Sequence, residues 1–308
     1  MLSNTITITA YNRPHYFEQL LFSLIQNNLD GWKIYIQVEP SHQAQQFIDI
    51  TNKILQGKNY CIEVNKSVLG VRQNPFAVLK KAFESGSRIN IYLEEDLLVS
   101  PDITRLADWY LNLDHTNLMC LNLMLAGCSS SGFISSVDHP ECLFETKCFN
   151  SLGFIITDKQ WQYYFAPNWF RFPQFFLNVY GDQVDGWDLA MYDYLLSNHD
   201  LKVLAPLFAR ANHNGQYGGA HCSEAFHEMA FGNLPIYQGQ PNLFEYAIEK
   251  NINKLPHSIK AHLNLWQEMT QSFITLKRMT TSLKTLQQRI GWKYLKRIQK
   301  LLIQLRLM

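Results

Sequence analysis

The 308-residue sequence lacks most of the features that mark a specialised class. Its six cysteines, at 61, 120, 128, 142, 148 and 222, form no CxxC pair, which argues against a zinc ribbon or a thioredoxin motif. No basic segment followed by an apolar stretch opens the chain. No secretory leader is therefore expected, and reduced thiols in a cytoplasmic protein follow from that expectation. No window reaches ~18 apolar residues without charge, so no transmembrane helix is expected either. Internal repeats and low-complexity segments are absent. Charged residues make up only 17% of the chain, and 27 Lys and Arg against 26 Asp and Glu leave a net charge of +1. That balance argues against a globally basic nucleic-acid binder and against an acidic disordered chain.

The most local absence is of acidic residues. From Met269 to Met308 there are nine basic residues and no acidic one, which leaves 18 of the 27 basic residues against all 26 acidic ones in residues 1–268, a net charge of −8. Apolar positions in the basic segment (276, 279, 283, 286, 290, 294, 298, 301 and 305) recur about every 3.6 residues, the period of a straight helix. Trp292 and Tyr294 add interfacial aromatics. An amphipathic basic helix over 258–308 suits an anionic membrane surface, such as the inner membrane face, or packing on the acidic body or in a homodimer.

The body alternates strand and helix. Thr5–Ala10, Lys33–Val38, Tyr60–Val64 and Ile89–Leu93 read as strands, the last nearly all apolar, as a strand covered on both faces should be. Pro14–Asn27 and Gln43–Leu55 read as helices. A third is expected from Asn74, as N-cap before Pro75, to about Ser85. This is the pattern of an α/β fold, a parallel sheet flanked by helices, with ligands at the carboxyl ends of the strands. After residue 115 the pattern is mixed. Leu118–Leu125, Leu152–Thr157 and Leu201–Leu204 read as strands, Trp187–Ser197 as a helix, and Asn212–Gly219 as a loop. The expected organisation is a body of 1–250, divided into parts 1–115 and 116–250, followed by the basic helical tail.

Three consecutive carboxylates, Glu94, Glu95 and Asp96, stand at the end of the apolar strand. Their mutual repulsion calls for a cation. A hard divalent metal held by one or two carboxylates, with phosphate and water completing its shell, supplies one. The run Tyr-Leu-Glu94-Glu95-Asp96-Leu-Leu-Val-Ser-Pro-Asp102 resembles the metal- and nucleotide-binding segment of glycosyltransferase family thirteen, the family of the N-acetylglucosaminyltransferase that begins hybrid N-glycans. The resemblance extends over roughly residues 5–230. It implies a GT-A fold, a UDP-sugar donor, Mn2+ or Mg2+ as cofactor, and inversion at the anomeric carbon. It also implies Asp96 as the metal ligand, with Glu94 and Glu95 near the nucleoside.

Four further landmarks carry the resemblance. Arg13, in Thr-Ala-Tyr-Asn-Arg-Pro after the first strand, matches the family's diphosphate or uridine contact, and a guanidinium suits phosphate oxygens. Glu39 falls where the family places an aspartate on the uracil. Arg72 and Asn74, in Leu-Gly-Val-Arg-Gln-Asn-Pro, stand where a family histidine is expected, and both also fit plain local roles. Asp188, in Gly-Trp-Asp-Leu, matches the family's base, which would take the acceptor hydroxyl's proton. It reads equally as a helix N-cap, and Asp182, Asp185 and Asp193 are rivals for the base. The segment Asn214 to His221 resembles the Gly-rich loop that closes over the donor, with His221 ahead of His213 as a donor-site candidate.

Together these imply a metal-dependent inverting glycosyltransferase of polysaccharide biosynthesis, acting on a glycan or lipid-linked acceptor as a peripheral membrane protein. The alternatives are a sugar-nucleotide pyrophosphorylase-like nucleotidyltransferase and a catalytically inactive, membrane-associated glycan-binding protein.

Overall fold

A computed structural model of the chain describes residues 4–125, 138–170, 176–177, 183–184, 187–218, 224–232, 234–240, 243–257, 259–261 and 263–264. Two compact units divide it, residues 1–263 and 264–308. The basic segment from residue 265 onward, with its expected amphipathic helix, lies outside the described residues. The first unit runs beyond residue 250, because Leu255 and Ile259 are buried with Leu125, Phe144 and Leu207.

The elements run β1 (Asn4–Ala10), α1 (Pro14–Leu24), β2 (Trp32–Val38), α2 (Ala44–Ile54), β3 (Tyr60–Val64), α3 (Gly70–Glu84), β4 (Ile89–Glu94), β5 (Leu97–Val99), α4 (Ile103–Leu111), β6 (Leu118–Asn122), β7 (Cys142–Thr146) and β8 (Phe154–Thr157). Then come α5 (Asp158–Gln160), a π-helical turn over Trp161–Phe165, α6 (Ala166–Asn168), β9 (Phe176–Leu177), β10 (Gln183–Val184), α7 (Trp187–Ser197), β11 (Lys202–Pro206), β12 (Ala211–His213), α8 (Glu224–Ala230) and β13 (Ala247–Ile248). Among the described residues, nine strands form one sheet in the order β13-β7-β11-β6-β8-β4-β1-β2-β3. β3, β2, β1 and β4 are mutually parallel, and β8 runs antiparallel between β4 and β6. The α/β class expected from the alternation is what forms, and the parts 1–115 and 116–250 share this single sheet.

The order places β1 between β2 and β4, so the crossovers reverse direction there. That makes the carboxyl ends of β1 and β4 the switch point at which open α/β sheets bind ligands. β4 is covered on both faces. Ile89, Ile91 and Leu93 pack with Phe17, Leu20, Leu21 and Leu24 of α1 and Leu106 and Tyr110 of α4. Tyr92, on the opposite face, packs with Leu79, Phe154, Trp161, Trp169 and Trp187. Side chains alternate along a strand, so Glu94 shares the Tyr92 face and Glu95 the α1 face.

β1 reads Thr-Ile-Thr-Ile-Thr, and its threonines are not solvent-facing. Thr5 and Thr7 are fully buried, and Asn90 of β4 bridges them: its Nδ2 donates to Thr5 Oγ1 at 2.8 Å and its Oδ1 accepts from Thr7 Oγ1 at 2.9 Å. Ser87 Oγ lies 2.7 Å from Thr5 Oγ1, and Thr9 Oγ1 lies 3.0 Å from the Tyr92 hydroxyl, which donates to Glu94 Oε1 at 3.2 Å. A polar ladder between two parallel strands thus ends on the acidic triplet, and each buried group has a partner.

Several expected placements move, among them three near the site. α1 ends at Leu24 rather than Asn27, because the Asn27 side chain turns away: it donates to the Ser100 carbonyl and accepts from the Thr104 amide at the start of α4. α3 begins at Gly70, not after Asn74, and Pro75 lies inside it. Asp188 sits within the first turn of α7, one residue past its start, rather than at the cap.

Candidate active site

Thr9 of β1 pairs in register with Glu94 of β4, so the residues that follow each strand meet. The chain leaves β1 through Tyr11, and Pro14, preset for a first helical turn, starts α1 with Arg13 just before it. Arg13 bridges two adjacent carboxylates. Its Nε donates to Glu95 Oε1 at 2.9 Å and its Nη2 to Asp96 Oδ2 at 2.6 Å. Glu95 Oε2 accepts from the Tyr11 backbone amide. Asp96 Oδ2 also accepts from His213 Nε2 at 2.9 Å. Asp96 Oδ1 is buried and has no hydrogen-bond partner among the described residues.

His213 arrives through β12, which pairs antiparallel with β5 in the register His213↔Leu97, next to Asp96. A buried ion pair holds β12 there. Arg210 Nε donates to both oxygens of Asp102 at 2.9 and 2.8 Å, and both side chains are inaccessible. The remaining Arg210 nitrogens donate to the Phe208 and Pro140 carbonyls, while Ser100 Oγ and the Tyr246 hydroxyl donate to Asp102. Past β12, the Asn214 amide donates to the Asp96 carbonyl at 2.6 Å. Gly215 then presses on the ion pairs: a Cβ there would lie 2.4 Å from Asp96 Oδ2 and 2.9 Å from Arg13 Nη1.

The electrostatics follow from this packing. Burial alone would raise the Asp96 carboxyl, but His213 and then Arg13 outweigh it and hold Asp96 below the usual carboxylate range. Burial pushes Glu95 up, against the opposing Tyr11 amide and Arg13. Glu94 is raised to about 8, by burial first and then by the charges of Asp96 and Asp188. Burial also raises the Tyr92 hydroxyl well above its ordinary value. Arg13 is raised, because Asp96 and Glu95 outweigh its own burial.

A divalent metal fits this site in one specific way. No group of three His, Cys, Asp or Glu side chains among the described residues is placed to hold an ion. What is built is one hard, buried, unpartnered oxygen, Asp96 Oδ1, on a carboxylate whose other oxygen is fixed by Arg13 and His213. That suits an ion held by a single carboxylate, with phosphate and water filling the shell.

The other expected residues divide into two groups. Glu39 is buried, and its oxygens are occupied: the amides of Leu69 and Gly70 and the Asn65 side chain all donate to it, at 2.7–3.1 Å. Gly70 has φ +78°, a conformation that favours glycine and that lets both amides converge on one carboxylate. Glu39 therefore serves the start of α3, where Leu69 offers no side-chain cap. Asn65 also donates to Asn74 Oδ1 at 3.0 Å, which ties Asn74 into the same network. Arg72 lies with Trp169 and Phe170. Its carbonyl accepts from Trp169 Nε1 at 2.9 Å, and its guanidinium lies 5.1 Å over the Phe170 ring.

Trp169 stacks on Trp187 at 4.1 Å and 7°, and Trp187 immediately precedes Asp188. Such a stack contributes about 0.5–1.5 kcal/mol beyond its buried area and fixes the start of α7. Asp188 is half-buried, and its charge reaches Glu94 on the Tyr92 face. Of its rivals, Asp193 is fully buried, while Asp182 and Asp185 lie outside the described residues, as does His221.

Arg13, Glu95, Asp96 and His213 thus form one cluster, Glu94 and Asp188 flank it, and Glu39 and Asn74 form a second network at α3. Among the described residues, His213 is a histidine at the triplet, and His221 lies outside them.

No family model matches the chain, and no curated protein matches it. Solved structures similar to it include S. aureus TarS 1–349 in complex with UDP-GlcNAc, at 14% identity over 74% of this chain and 64% of that one, TM-score 0.46. A second is the mannosyltransferase PcManGT from Pyrobaculum calidifontis in complex with GDP-Man and Mn2+, at 12% identity over 53% of this chain and 46% of that one, TM-score 0.38. A third is the galactosyltransferase LgtC with donor and acceptor sugar analogues, at 15% identity over 62% of this chain and 70% of that one, TM-score 0.37. The chain spans 23% of one TarS structure and 60% of TarS 1–349, less than two thirds of each.

Proposed function

We propose that this protein is a glycosyltransferase that moves a sugar from a nucleotide sugar to a glycan or lipid-linked acceptor. UDP-N-acetylglucosamine is the first donor to test, Mn2+ or Mg2+ the cofactor, and inversion the stereochemical course, all as the family-thirteen resemblance implies. The observation that carries the reading is the buried, unpartnered Asp96 Oδ1 at the switch point of the sheet, on a carboxylate fixed from behind by Arg13 and His213. When bound there, the metal supplies Lewis-acid stabilisation of the leaving diphosphate.

The chain's own residues do the rest. Arg13 keeps three of its five N–H groups free of the two carboxylates and presents them to phosphate oxygens. His213 fixes the carboxylate of Asp96, so that its free oxygen keeps one orientation. The segment 214–218 lies over Arg13 and Asp96, and the missing side chain of Gly215 permits that approach, which excludes water from the donor. Asp188 takes the proton of the acceptor hydroxyl as that oxygen attacks the anomeric carbon opposite the departing diphosphate. The basic segment from residue 269 would hold the body at an anionic membrane surface or join a second copy.

Thermal shift with UDP and Mn2+ tests the donor site. Stabilisation is expected in the unaltered protein and its loss in Asp96→Ala; no metal-dependent UDP binding would overturn the reading. Asp188→Asn is expected to keep UDP binding and lose transfer, measured as metal-dependent turnover across UDP- and GDP-sugars. Normal turnover in that variant would place the base elsewhere.

A further inference from the structure

We propose that Arg13 is an internal counter-ion that competes with the metal for Asp96, so that metal binds tightly only together with the nucleotide. The inference rests on the donor-site reading and concerns the order in which that site fills. Three consecutive carboxylates lie at the end of β4, and Asp96 is only 2% exposed. In the structure their charge is met from within the protein: one guanidinium spans Glu95 and Asp96 through separate nitrogens, and His213 reaches the same Asp96 oxygen.

That guanidinium is held in place. It lies 5.8 Å from the Tyr16 ring, the Tyr16 hydroxyl accepts from the Tyr217 amide, and a Cβ on Gly215 or Gly218 would meet Arg13 at 2.9 or 3.7 Å. A divalent ion on Asp96 Oδ1 would share one carboxylate with this fixed positive charge, so the ion alone meets repulsion. A diphosphate removes the conflict. Its oxygens serve the metal and the guanidinium at once, the latter through the N–H groups that Arg13 does not spend on Glu95 and Asp96, so that its negative charge offsets the repulsion between the two cations. Metal and nucleotide then raise each other's affinity by the same factor, and Arg13 sets part of that factor.

The test is a Mn2+ titration of the full-length protein, followed by electron paramagnetic resonance, for the unaltered chain and Arg13→Gln, each with and without UDP. The unaltered protein is expected to bind Mn2+ about tenfold or more weakly without UDP than with it. Arg13→Gln is expected to bind Mn2+ alone about tenfold more tightly than the unaltered protein, while its UDP affinity at saturating Mn2+ falls about tenfold. A guanidinium that only contacted phosphate would lower UDP affinity and leave metal-alone binding unchanged, and one that only held the fold would weaken both; either result overturns the proposal and leaves the donor site standing. The comparison with and without UDP in the unaltered protein needs no variant, and equal Mn2+ affinity in the two states also overturns it. Absence of any UDP–Mn2+ binding would instead remove the donor-site reading itself.

Discussion

Gly215 has no room for a side chain. A Cβ at that position would stand 2.4 Å from Asp96 Oδ2, on a short side chain that Arg13 and His213 already pin. Gly215→Ala is therefore expected to lower UDP–Mn2+ affinity by about tenfold, about 1.4 kcal/mol, with a melting temperature close to that of the unaltered protein. Calorimetric titration and a thermal scan check the two halves of this statement separately. At this scale the acidic triplet was legible, since three carboxylates directly after an apolar strand repel one another and make a counter-charge favourable. His213 was legible only as a lesser candidate for the donor site, because its place at Asp96 depends on the pairing of β12 with β5, and spacing carries no trace of it. Glu39 stood out in the sequence only through the resemblance, as an acid where the family contacts the uracil. Its bonds to the Leu69 and Gly70 amides depend on a left-handed glycine 31 residues away.

At the scale of elements, the Arg210–Asp102 pair joins the segment after β5 to the segment before β12. Both charges are fully buried, and every nitrogen of the guanidinium and both oxygens of the carboxylate have a hydrogen-bond partner. Arg210→Ala leaves the Asp102 carboxylate without its cation and is expected to cost about 3–5 kcal/mol in urea denaturation. The double variant Arg210→Met, Asp102→Leu removes both charges and is expected to recover a large part of that loss. If the double variant is as unstable as the single one, the pair matters through shape rather than charge compensation. Strands of three residues such as β5 and β12 are too short for a period to show, which is why the sequence read one as part of the acidic motif and the other as loop. The long apolar β4 and the amphipathic α1 and α2 showed their periods plainly.

At the scale of the whole molecule, every described residue of the candidate site lies within the compact unit of residues 1–263. A chain ending at Leu263 is expected to bind UDP–Mn2+ as the full chain does, measured by calorimetric titration, and to lose any sedimentation with anionic liposomes that the full chain shows. Loss of nucleotide binding on truncation would place part of the donor site in residues 264–308. The parallel half of the sheet was legible from strand–helix alternation. The mixed half was not, because β8 inserts antiparallel between β4 and β6 from far along the chain, a pairing that no local pattern encodes.

The threonine–asparagine ladder between β1 and β4 gives the molecule a means of proofreading its own assembly. A slip of one residue would turn Thr5 and Thr7 toward the leucines of α1 and the isoleucines toward Asn90, stranding several buried polar groups at once. It would also shift Arg13 along the strand axis relative to Asp96 by roughly 3.3 Å, beyond hydrogen-bond reach. A collapsed form with the wrong alignment would thus lack the proposed nucleotide site altogether, and capture of a donor there would act as a certificate that the two central strands have found their partners.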